Sequence, residues 1–188
     1  MRGAFIVALL ILSVVPAHAD ESDAWAALRG NGHVALIRHA QAPGTLDPEG
    51  YRLDDCSTQR QLSEKGRADA RKLGDIFRAQ KVKVGKIVSS QWCRCRHTAE
   101  LMDLGPVEQV PTFNNAAVLR EQRDELAAGG RKYIAAWRGP GTLIVATHGA
   151  NVLAMLGVHP AQGEVIVVKP DAANEKGMTL IGRIRPAF

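Results

Sequence analysis

Aromatic residues are scarce: three Trp, two Tyr and four Phe make up 5% of 188 positions. There is also no run of five or more like charges. The chain therefore offers neither the stacking platforms nor the basic stripe by which nucleic acid is held, and no nucleic-acid partner is expected. Cysteine is scarcer still. Cys56, Cys93 and Cys95 allow at most one disulfide within the chain, and Cys93 and Cys95 have no second Cys pair with which to form a structural metal site. No apolar stretch reaches the roughly 20 residues needed to span a bilayer. Internal repeats, low-complexity tracts and linkers are likewise missing, which excludes solenoid and multidomain architectures.

What the sequence does hold, 46% hydrophobic and 23% charged residues, suits one globular domain with a real core. Its start is unlike the rest. Arg2 is followed by an apolar run from Ala4 to Val15, then Pro16 and the small-x-small sequence Ala17-His18-Ala19. This pattern predicts a secretory signal peptide over residues 1–19, cleaved before Asp20, and a domain over residues 20–188. The expected location is periplasmic or secreted, with no stable membrane insertion after cleavage. The net charge of +5 fits an anionic partner without naming one.

Hydrophobic periodicity alternates strand and helix. A short helix is expected at Ser22–Arg29, a strand at "HVALIRH", and a helix through "LSEKGRADARKLGDIFRAQ" with Ser63 as N-cap. A strand follows at "KIVSS", then a helix from about Trp92 to Leu104, a short strand near "VEQVPTF" and an amphipathic helix ending near Trp137. Strands at "TLIVATH", "EVIVVKP" and "TLIGRIRP", with a helix at "ANVLAML", complete the chain. Near-continuous apolar strands between helices predict an α/β fold: one three-layer α/β/α domain around a mostly parallel sheet.

Two of those strands share a form. "HVALIRH" and "TLIVATH" each run apolar into a terminal histidine, His39 and His148. In an open parallel sheet the carboxyl ends of the strands form the ligand crevice. "KIVSS" leads at its own carboxyl end into Arg94 and Arg96. Imidazoles and guanidiniums with no carboxylate cluster repel a metal ion but suit a tetrahedral dianion. Phosphate is the expected ligand, with no metal and no cofactor.

These residues resemble the histidine phosphatase superfamily, the phosphoglycerate-mutase-like enzymes. Arg38-His39-Ala40 matches its Arg-His-Gly; Ser90, Arg94, Thr98 and Ala99 match Ser-x-x-x-Arg-x-x-x-Thr-Ala; His148-Gly149 matches its late His-Gly; and "LSEKGRADA" matches its helix start. The resemblance implies that His39 attacks phosphorus and forms a phosphohistidine that water hydrolyses. Arg38, Arg94 and His148 would hold the phosphoryl oxygens, giving an exported phosphomonoesterase that needs no metal. The substrate would be a small-molecule or glycan-borne phosphomonoester, a context similar to that of envelope enzymes that dephosphorylate lipopolysaccharide core heptose. A phosphoglycerate-mutase-like phosphotransferase and a non-enzymatic phosphate-binding envelope protein are the alternatives.

The pattern is incomplete in two places. Ala40 stands where the family has glycine, which is tolerable if its torsions are ordinary. No signature marks the proton donor in "NNAAVLREQRDEL"; Glu121 is the choice over Asp124 and Glu125. Family members that cleave phosphohistidine manage without a strong acid, so its absence would inform on substrate. The loop carrying Asp54, Asp55 and Arg60 reads either as a solvated turn or as a wall of the pocket. Cys56 and Cys93 should both lie near the carboxyl edge of the sheet, while Cys93 and Cys95 diverge at a helix start. The expected bridge is Cys56–Cys93, with three reduced packing thiols as the alternative.

Overall fold

A computed structural model of the chain describes residues 19–188. The expected signal peptide lies outside the described residues, apart from Ala19, where the first helix starts. The strands are β1 (Val34–Arg38), β2 (Val84–Ser89), β3 (Val107–Gln109), β4 (Thr142–Thr147), β5 (Val165–Pro170) and β6 (Met178–Ile184). The helices are α1 (Ala19–Arg29), α2 (Glu64–Ala79), α3 (Cys93–Leu101), α4 (Arg123–Ala135) and α5 (Gly149–Leu156).

One sheet, in the order β3-β2-β4-β1-β5-β6, carries the fold. β3, β2, β4 and β1 run parallel; β5 joins β1 antiparallel, and β6 joins β5 antiparallel. This matches the expected mostly parallel sheet. β1 shows how its faces are covered, because successive strand side chains point to opposite sides. Ala35 and Ile37 join a core cluster with Trp25 and Leu28 of α1, Leu73 and Phe77 of α2, and Cys95 and Ala99 of α3. Val34 and Leu36 pack instead with Ile134 of α4 and Val152 and Met155 of α5. The result is three layers, α/β/α.

Local sequence sets the helix ends. Ser63 caps α2 by accepting from Gly66 N–H at 2.9 Å, as expected. α3 is shorter than its periodicity suggests, stopping at Leu101, because Asp103 takes a left-handed φ of 52°. α2 and α3 pack closely at Gly74, where a Cβ would lie 1.9 Å from the Met102 carbonyl oxygen. Gly74→Ala is expected to cost about 1–3 kcal/mol by overpacking, read as a lower denaturation midpoint with an unchanged m-value.

Candidate active site

The register of the sheet brings the two histidines together. Arg38 pairs with Thr147 across β1 and β4, so His39 and His148 leave adjacent strands one residue later, side by side. Their ring centroids are 5.6 Å apart and nearly edge-on at 69°. Both are buried, each 3% exposed. His39 is anchored by its backbone N–H to Thr147 O at 2.9 Å. Its Nδ1 lies 2.9 Å from Ala40 O, and since a carbonyl only accepts, that nitrogen carries the proton and Nε2 keeps its lone pair.

The Ser90, Arg94, Thr98 spacing places one residue per helical turn on the inner side of α3 and its approach. Each has a separate task. Ser90 Oγ lies 2.9 Å from His148 Nε2 and fixes that ring. Thr98 Oγ1 accepts from Ala40 N–H at 3.0 Å and donates to Arg94 O at 2.7 Å, tying the segment after His39 to α3. Arg94, 1% exposed, projects between them. Ala40 has none of the positive φ values found in the chain, so alanine fits there without strain. Gly149 sits close against Arg38. A Cβ there would stand 3.3 Å from Arg38 Nε, so the His-Gly pair lets Arg38 lie across the start of α5.

A cavity of about 220 Å³ is lined by Arg38, His39, Arg60, Arg94 and His148, with Thr45, Asn115 and His159 around them. Arg38 donates Nη1 to Pro160 O at 2.8 Å, Arg60 donates Nη1 to Thr45 O at 2.6 Å, and Arg94 grips Asp47 through both Nη atoms at 2.7 and 3.2 Å. All three keep a buried Nε–H without a partner. Buried donors at three guanidiniums around one cavity describe a cradle for an oxyanion. Gly149 and Ala150, at the start of α5, add backbone N–H groups of the kind that favour an anion.

Electrostatics keep both imidazoles neutral. Burial, reinforced by Arg94, Arg60 and Arg38, takes the His39 pKa down to about 3 against the pull of its bond to Ala40 O. Burial, Arg94 and His39 push His148 well below the ordinary histidine value. The Cys95 thiol, 3.4 Å from His148 Nε2, is raised by burial to about 12 and stays protonated, a packing group as expected. A folded-state pKa below the unfolded one means that stability is present above pH 6.5 and falls as the unfolded chain takes up protons below it. His39 alone should cost about 1.4 kcal/mol per pH unit between pH 6.5 and about 3. Urea denaturation of wild type and His39→Gln at pH 7 and 4.5 checks this: the variant should lose that part of the pH slope.

The structure gathers Arg38, His39, Arg94 and His148 in one cavity but leaves Glu121 outside it. Glu121 is exposed on a 3-10 turn, Arg120–Gln122, and among the described residues no carboxylate lines the cavity. The geometry gives Glu121 no contact through which to donate a proton there. Arg60, left open between solvent and pocket, is a wall of the pocket. Arg96 stays at the surface side of α3, its Nε 3.4 Å from Glu100. Asp47, Thr45, Asn115 and His159 carry no motif. The one available cue was Asp47 before Pro48, which reads as a turn.

The expected bridge is present: Cys56 and Cys93 are joined, with Cα atoms 5.7 Å apart, and Cys95 is free and buried. The bond ties the loop after β1 to the start of α3, one residue before Arg94.

Solved structures show the same fold at low identity. One of the protein histidine phosphatase SixA bound to tungstate is 19% identical, with a TM-score of 0.52, covering 81% of this chain and 96% of that one. A protein of Agrobacterium tumefaciens described as a phosphohistidine phosphatase, SixA, is 23% identical, with a TM-score of 0.56 over 82% and 98%. A mycobacterial glucosyl-3-phosphoglycerate phosphatase is 15% identical, with a TM-score of 0.55 over 79% and 95%. No curated protein matches the chain. The model of the histidine phosphatase superfamily (branch 1) matches residues 34–140, from the strand that delivers Arg38 and His39, through Ser90, Arg94 and Thr98, to the threshold of the strand that delivers His148, and the chain belongs to that superfamily.

Proposed function

We propose that the protein is an exported phosphomonoesterase that works without a metal, through a phosphohistidine on His39. The observation that carries this reading is the neutral, Nδ1-anchored His39 beside three guanidiniums that line one cavity. His39 Nε2 forms the N–P bond as the P–O bond to the leaving group breaks. Water then attacks phosphorus and the N–P bond breaks, returning neutral His39 and inorganic phosphate. Arg38, Arg60 and Arg94 hold the negative charge of the phosphoryl oxygens throughout, the term that dominates phosphoryl transfer. Export is supported by the sequence pattern of residues 1–19 and is consistent with the Cys56–Cys93 bridge.

Because no carboxylate among the described residues lines the cavity, leaving groups that depart without a proton are favoured. Phenolates, and the imidazoles of N-phosphoryl imidazoles, should therefore depart faster than sugar alkoxides. A glycan-borne monoester is the weaker reading on this ground. The test uses protein freed of metal by chelation. It should hydrolyse p-nitrophenyl phosphate and leave acid-labile, base-stable label on His39 from labelled substrate. Label on serine, or dependence on added metal, would refute the mechanism.

A further inference from the structure

We propose that Asp47 is a positioning residue of the phosphoryl site: its buried carboxylate fixes the Arg94 guanidinium and sets the cavity's fixed charge at two positive, the complement of a phosphomonoester dianion. The inference rests on the phosphatase reading above. Asp47 belongs to an otherwise exposed loop. Leu46 is 65% exposed, and Pro48 and Glu49 are exposed too, whereas the side chain of Asp47 turns inward and is 2% exposed.

Every lone-pair direction it offers is used. Oδ1 accepts from Arg94 Nη1 at 2.7 Å and Arg60 N–H at 3.0 Å; Oδ2 accepts from Trp92 Nε1 at 3.0 Å and Arg94 Nη2 at 3.2 Å. One carboxylate thus holds the side chain of one cavity arginine and the backbone of another. The fork-on-fork pair orients the Arg94 guanidinium, and its Nε–H remains the donor without a partner.

Charge points the same way. A buried ion pair is weak evidence for stability, since an apolar pair of the same shape serves as well. Its place beside the cavity is better explained by the ligand. Three guanidiniums against one carboxylate leave two positive charges, because burial and the arginines keep His39 and His148 neutral. Burial works to raise the Asp47 pKa, but the bonds from Arg94, Arg60 and Trp92 prevail and hold it below the usual carboxylate range, so it stays anionic.

Asp47→Asn separates this role from a purely structural one, because its two consequences have opposite signs. An amide turns an N–H₂ toward donors that need an acceptor, so Arg94 loses its fixed orientation and kcat for phenyl phosphate should fall about 100-fold. The cavity also gains a net positive charge, so the Ki of inorganic phosphate should fall about fivefold. Assays at pH 8 stand above the range in which histidine ordinarily titrates. Asp47→Glu, which keeps the charge but shifts the carboxylate by a methylene, should lower kcat and leave Ki as in wild type. The inference is overturned if Ki rises as kcat falls in Asp47→Asn, if neither changes, or if Asp47→Glu keeps the wild-type kcat. Should Asp47→Asn fail to fold, Asp47→Glu decides alone. A wild-type protein that turns over no phenyl phosphate would instead sink the phosphatase reading, and calorimetry of phosphate binding to the same variants would still test the charge balance.

Discussion

His39→Ala should reduce phosphatase activity by at least ~10³-fold, with inorganic phosphate still bound. Alanine removes the proposed nucleophile, yet it leaves Arg38, Arg60 and Arg94 in place. The carbonyl of Ala40 loses its Nδ1–H donor, a small change beside the loss of the nucleophile. Steady-state kinetics paired with phosphate calorimetry read the two effects separately. Comparable activity in the variant would show that another group attacks phosphorus. The pH profile offers an independent check. Because His39 sheds its proton near pH 3, kcat/KM should stay flat on the acid side until the substrate dianion itself protonates, near pH 6 for a phosphomonoester. An acid limb that moves with the substrate's second pKa, rather than staying fixed across substrates, is the expected result.

Removing the Cys56–Cys93 bridge by a Cys56→Ser, Cys93→Ser double substitution should cost about 2–4 kcal/mol of stability. Catalysis should suffer as well, by about tenfold or more in kcat/KM, because the released segment carries Asp47 and Arg60. Both residues are held to the start of α3 by Asp47's bonds to Arg94 and Trp92, and the covalent link closes the same junction from the other side. Denaturation with and without reductant gives the stability term; wild type in reductant should behave like the double variant. An unchanged midpoint would show that the loop is held by its polar contacts alone.

The sequence made the strand-end histidines legible because both follow apolar runs with no competing helical period. The helix caps were legible for similar local reasons: Ser63 announces α2 by its own chemistry. The β5–β6 hairpin and its antiparallel join to β1 were not, since strand direction depends on which edges meet across the chain. The site divided in the same way. His39, Arg94 and His148 follow from short spacings along strands or one helix turn. Asp47, Arg60 and His159 reach the cavity through loops, whose course is set by tertiary contacts that leave no period in the sequence. Glu121 illustrates the converse: a carboxylate in the right interval of sequence, turned to solvent by a 3-10 turn.

The pairing of β1 with β4 has a kinetic consequence. His39 and His148 are 109 residues apart in sequence and meet only when β1 pairs with β4, so no intermediate that lacks this pairing contains the pair. Contacts of such sequence separation form late and slowly. Recovery of turnover during refolding should therefore lag the recovery of helical signal, and fragments ending before residue 142 should be catalytically silent even where α2 and α3 have formed. Turnover in this protein is a reporter of the finished chain.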